Sequence, residues 1–273
     1  MTYEQESQSD ATPTFGRAEQ YKQLLEGNEA VNVVNVPELV IEPHAPRLSE
    51  RQSQILADQW SRFWELRSDI QSTNIEPSTD VKAGSLLHQM RYNPDVVKQI
   101  LGSGIMAGEL GFGDKAVSVE DSETHYCADF FVNREDRTVR EYLDYARDTE
   151  PNIGNVQRSR IERYALPDER GYNIAFVVNP EQSELHNLLD NSATGETMPG
   201  SQLADFPIRF PYSEGDQATR HKAVLVGVPA NYITEMIVSG GIRDNPETIA
   251  EIKNAIETAG LNTRIVDSEG MVL

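Results

Sequence analysis

Apolar and polar positions in this chain alternate with two periods, and the longer period is clearest first. In "LSERQSQILADQWSRFWELRSDIQS", residues 48–72, Leu56, Trp60, Phe63, Trp64 and Ile70 recur at helical spacing, flanked by Ile55 and Leu66. Ser49 with Gln52 three residues on is a capping-box pattern, so the helix is predicted to start there. Both tryptophans of the chain lie on this helix. Its aromatic stripe reads first as a packing face, and second as a partner-binding face.

From about residue 82, short apolar runs alternate with amphipathic stretches. "GSLLHQM", "HYCADFFV", "YNIAFVV" and "KAVLVGV" read as strands, and "YITEMIVSG" as a further apolar segment. "NPDVVKQILGSG" and "NPETIAEIKNAIETAG" both open on Asn-Pro and close on Gly, which predicts two helices capped by Asn93 and Asn245. Gly102 and Gly104 are read as the first helix's C-cap and the turn after it. "NREDRTVREYLDYARD" and "PEQSELHNLLDN" are predicted to be helical, and "LNTRIVDSEGMVL" a strand with a Ser-Glu-Gly turn. Strands and helices mixed without regular βαβ spacing predict an α+β fold.

The predicted organisation has three parts. Residues 1–47 form an N-terminal extension, partly disordered, with a disorder-like "QSDATPTFG" and an extended segment broken by Pro37, Pro43 and Pro46. Residues 48–81 are the amphipathic helix and a linker, and residues 82–273 are the α+β domain. Within the domain, "NSATGETMPGSQLADFPIRFPYSEGDQATR" is a long loop of the length that functional loops reach.

Composition narrows the function classes. The chain has 273 residues and a formal net charge of -20, from 44 acidic and 24 basic residues. A field of that sign repels phosphate backbones, so general nucleic-acid binding is disfavoured. No apolar run is long enough to span a membrane, and the polar start "MTYEQESQSD" lacks the plan of a signal peptide. The one cysteine, Cys127, has no partner for an internal disulfide, and a cytoplasmic location is expected.

Tests for familiar chemistry mostly fail. His44, His88, His125, His186 and His221 show no metal-ligand spacing, and no metal is expected. "GSGIMAGELGFGD" is glycine-rich but follows a helix, where a dinucleotide fingerprint follows a strand. Cys127 beside His125 sits on an apolar run, which favours a core thiol over a nucleophile.

The order of segments carries more. "SLLHQM…PDVVKQILGSGIMAGEL", "HYCADFFV" and "KAVLVGVPANYITEMIV", in that order, resemble an ADP-ribosyltransferase-like domain of the DarT or toxin type. The resemblance covers roughly residues 84–273 and implies a split mixed β-sheet with flanking helices, binding NAD as substrate. It implies that His88 contacts the NAD ribose, that Arg91 faces the pyrophosphate and that Tyr126 stacks near the nicotinamide. The family's catalytic glutamate is expected at the start of the "VLV" strand, where this chain has Lys222 and Ala223. Glu214, in the preceding loop, is the candidate substitute. Each residue also has a plain reading: His88 as a satisfied polar side chain, Arg91 as a surface ion-pair partner, Tyr126 as core.

The expected function is therefore NAD-dependent ADP-ribosyl transfer, or NAD binding by a degenerate relative. The acceptor is a protein, a nucleic acid or a small molecule. The alternative is a non-catalytic acidic scaffold that recruits a partner through the tryptophan-bearing helix.

Overall fold

The structure is a computed structural model. It describes residues 36–41, 47–68, 80–107, 126–133, 137–139, 174–179 and 221–273, with single positions between them. Helix α1 spans Glu50–Ser68. Ser49 and Gln52 close the capping box in both directions, the Ser49 amide donating to Gln52 Oε1 at 2.7 Å and the Gln52 amide to Ser49 Oγ at 3.3 Å. Strands β1 (Asp80–Val81) and β2 (Leu86–Met90) follow, then helix α2 (Pro94–Gly102) and strand β3 (Gly104–Met106). Next come β4 (Cys127–Val132), β5 (Arg137–Thr138), β6 (Ile174–Val178), β7 (Ser192–Ala193), β8 (His221–Leu225) and β9 (Gly227–Pro229). A turn of 3-10 helix, Ala230–Tyr232, leads into β10 (Ile233–Val238), helices α3 (Gly240–Arg243) and α4 (Pro246–Thr258), and β11 (Arg264–Asp267).

Among the described residues, seven strands form one mixed sheet in the order β11-β10-β6-β2-β4-β8-β7. Of these neighbours only β10 and β11 run parallel, joined by a crossover through α3 and α4, and the others are antiparallel. Two short pairs stand beside it, β1 with β5 and β3 with β9. Sequence-predicted strands and helices are thus interleaved in a mixed sheet, as an α+β fold requires.

Burial explains why the elements stay. Leu87, Ala175, Val177, Ile237 and Val266 line one face of the sheet and pack with Val81 and Val139. The aromatic stripe of α1 is a packing face: Trp60 and Trp64 are buried, Phe63 wholly so, with Phe63 and Trp60 each edge-on to Trp64. Polar side chains fasten this helix to the body. Gln59 donates to the Leu225 carbonyl, Asn231 to that of Leu66, and buried Arg67 to those of Gly102 and Ala259. Desolvation lowers the Arg67 pKa to about 10.

Two expectations change. Gly104 is no turn residue: α2 ends at Gly102 with Ser103 as its cap, and Gly104 opens β3. Its φ is +144°, and a Cβ there would lie 2.4 Å from the Val228 carbonyl oxygen and 2.8 Å from the Phe63 ring. The glycine therefore serves close approach of β3 to β9 rather than chain reversal. The segment expected to be helical from residue 133 has its residues Arg137–Thr138 paired with β1 as strand β5, its backbone bonding taken up by Asp80–Val81. Most of that segment, most of "PEQSELHNLLDN" and residues 1–35 lie outside the described residues.

Candidate functional site

The site is built where β2 meets β4. Strand β2 pairs with β6 over its whole length, from Leu86–Val178 to Met90–Ile174. Against β4 it pairs only twice, at Leu86–Val132 and Leu87–Phe131. Beyond Leu87 the ladder stops, and the next residue is His88. Its ring spans the interval instead: Nδ1 lies 3.0 Å from the backbone carbonyl oxygen of Asp129. A carbonyl only accepts, so Nδ1 carries the proton in this bond and Nε2 of the neutral ring presents a lone pair.

The surroundings of the ring fix its charge. His88 is half-buried, edge-on to Phe130 at 5.9 Å and opposite Phe176 on β6. Desolvation pushes its pKa below the ordinary value, while the bond to the Asp129 carbonyl and the Asp129 charge push the other way. The net shift is downward, so the imidazole is neutral at pH 7.

The remaining predicted residues divide. Arg91 lies one residue past β2, exposed, on the approach to Asn93 and α2. Asn93 caps that helix by accepting from the amides of Asp95 and Val96. Tyr126 is 1% exposed and edge-on to Phe206 at 6.5 Å, so its ring belongs to the core. It lies four positions before Phe130, about 13 Å along the strand at the usual rise per residue. His88 is thus the middle residue of β2 and Arg91 lies just past the strand, while the Tyr126 ring packs on Phe206. Glu214 lies outside the described residues.

Among the acids that the sheet places are Glu235 and Asp129. Glu235 is buried on β10 and forms an ion pair with Arg264 of β11. Asp129 was missed by the sequence reading. It is exposed on β4, and Ala223 of β8 stands directly opposite it. The signal was in "CADFFV", where one acid interrupts an otherwise apolar strand at an outward position. Lys222 pairs with Phe130 on the other face. Cys127 is buried, and burial first, then the Asp129 charge, pushes its thiol pKa far up, so it is no nucleophile. Among the described residues no cluster of three His, Cys, Asp or Glu side chains is placed to hold a metal ion. No helix there is long and apolar enough to cross a membrane.

No protein-family model matches the chain, and no curated protein matches it. Two solved structures are similar to it. One is DarT of Thermus sp. 2.9 in complex with carba-NAD+, with a TM-score of 0.35 and 12% identity, covering 67% of this chain and 94% of that one. The other is the same protein in complex with NAD+, with a TM-score of 0.34 and 10% identity, covering 70% and 97%.

Proposed function

We propose that this domain binds NAD at the end of the β2–β4 ladder and acts in ADP-ribosyl transfer, with its sheet split there as in ADP-ribosyltransferase folds. The observation that carries this reading is the pinned imidazole of His88, bonded through Nδ1 to the Asp129 carbonyl. A neutral ring held in one tautomer offers Nε2 to a donor such as a ribose hydroxyl, at little further cost in side-chain entropy. Arg91, exposed one residue past the strand, supplies the positive charge that a pyrophosphate needs in a chain of net charge -20. Tyr126 serves such a site from behind, by packing on Phe206 and fixing the start of β4. Glu214 is the loop's carboxylate candidate. The acceptor is a protein, a nucleic acid or a small molecule, and the acidic field works against an extended phosphate backbone.

The scaffold alternative draws less support, because Trp60 and Trp64 are buried and only the polar side of α1 is left for a partner. Titration calorimetry of NAD into the full chain tests the proposal. Binding is expected, weakened about tenfold in His88→Ala, the size of one good hydrogen bond. No binding at millimolar NAD overturns it.

A further inference from the structure

Val226 holds a backbone conformation that its own side chain opposes. Among the described residues it is the one non-glycine residue with a positive φ, +67°. A β-branched side chain rarely adopts that region, because its Cβ crowds the neighbouring carbonyl. Val226 is also wholly buried, and Gly227 beside it has a φ of +131°.

Its hydrogen bonds show what this conformation achieves. The Val226 amide donates to the Tyr126 carbonyl at 2.9 Å, one position beyond the Cys127–Leu225 rung of β4 and β8. The Val226 carbonyl accepts from the Ala107 amide at 2.8 Å, one position beyond the Met106–Gly227 rung of β3 and β9. In an extended residue the N–H and C=O point to the same side of the strand and serve one neighbour. Val226 serves two, and so joins the seven-stranded sheet to the β3–β9 pair. Tyr126 and Ala107 are each 1% exposed, so these groups cannot turn to water instead.

Helix α1 reaches the strands on both sides of this corner. Gln59 donates to the carbonyl of Leu225, the residue before Val226. One turn on, the Phe63 ring lies against Gly104 of β3, 2.8 Å from where a Cβ would stand. Residues four apart share a helix face, so one face of α1 grips the end of β8 and the start of β3 together.

We infer that Val226 is a strained corner and that α1 is the latch that holds it. With α1 docked, the corner serves both sheets. With α1 displaced, Val226 relaxes towards an extended conformation and one of its two ladders gives way. The β3–β9 ladder has three rungs against five for β4–β8, so it opens first. Docking of α1 thereby controls whether β3 stays joined to the sheet. This device stands independently of NAD binding.

The test is hydrogen exchange of the full chain, read at the Ala107 amide, with the amides of β10 as the reference. Gln59→Leu removes the bond from α1 and keeps a side chain of similar size. It should lower Ala107 protection about fivefold, the scale of one hydrogen bond, and leave β10 unchanged. Val226→Ala and Val226→Gly separate backbone from packing: both lose the buried isopropyl group, and only glycine escapes the φ penalty. At an ordinary strand position glycine is the weaker of the two. Here Val226→Gly should protect Ala107 about tenfold more than Val226→Ala, the scale of one left-handed residue. Val226→Asn against Val226→Thr repeats the comparison with side chains of near-native size, should the smaller ones not fold, and asparagine should protect more. Alanine matching glycine, or threonine matching asparagine, overturns the strain. An Ala107 amide unmoved by Gln59→Leu, or a loss shared equally by β10, overturns the latch.

Discussion

Glu235 and Arg264 are register partners on the parallel strands β10 and β11, and their side chains form an ion pair with Glu235 almost wholly buried. The acid that interrupts "YITEMIVSG" is therefore tied to the sheet. Removing one partner of a buried pair leaves the other charge in a low-dielectric site, at about 3–5 kcal/mol. Arg264→Ala should lose that much stability in urea unfolding. The double change Glu235→Met with Arg264→Met, which removes both charges, should recover most of it.

His88 gives the domain a sign-defined response to acid. Its folded-state pKa lies below the unfolded value of 6.5 because the ring is desolvated. Between those two values the unfolded chain binds more protons. The contribution is thus complete above pH 6.5 and is lost as pH falls through the folded value. The difference in urea midpoint between wild type and His88→Gln should narrow from pH 7.5 to pH 5. On the proposed NAD reading, affinity for NAD should fall over the same window, as Nε2 becomes protonated and ceases to accept.

The β3–β9 contact tolerates no side chain. A Cβ on Gly227 would lie 1.9 Å from the Ile105 carbonyl oxygen, and its φ of +131° is unfavourable to any other residue. Gly227→Ala should cost about 3 kcal/mol or more, combining backbone strain with overpacking. Gly241 has open space around it. Gly241→Ala in α3 should therefore be near neutral in the same melt.

Helix caps offer smaller, graded changes. Asn93→Ala removes the side chain that accepts from two α2 amides and should cost about 1 kcal/mol. Ser49→Ala opens one half of the α1 capping box, at a similar cost of about 1 kcal/mol. Chemical denaturation with constant slope checks both.

Local signals and long-range geometry were unequally legible in the sequence. Ser49 with Gln52, Asn93 and Asn245 declare helix starts, because a cap is settled within four residues. The strands at Leu86–Met90, Ile174–Val178 and Ile233–Val238 were visible as apolar runs. Their neighbours were not: β6 lies between β2 and β10, far from both in sequence, and no local pattern encodes that pairing. Gly104 misled for the same reason, since what crowds it is Val228 and Phe63. His88 was found as a residue at a joint, but its tautomer depends on Asp129, 41 positions away. The contact of Tyr126 with Phe206, 80 positions away, is likewise absent from any local pattern.

The two rungs between β2 and β4 have a mechanical consequence. The strands β11, β10, β6 and β2 form one leaf, with a register shift between Ile233 and Glu235 of β10, and β4, β8 and β7 form another. Leu86 and Leu87 are the stitches between the leaves, and one imidazole is the clasp below them. Amides along β6 and β10 should exchange with solvent only on global unfolding, whereas those flanking His88 should exchange through a local opening. The line between the leaves is held by two rungs and that clasp, as the outer β7–β8 pairing is held by two rungs. Loosening it would change the angle between the leaves.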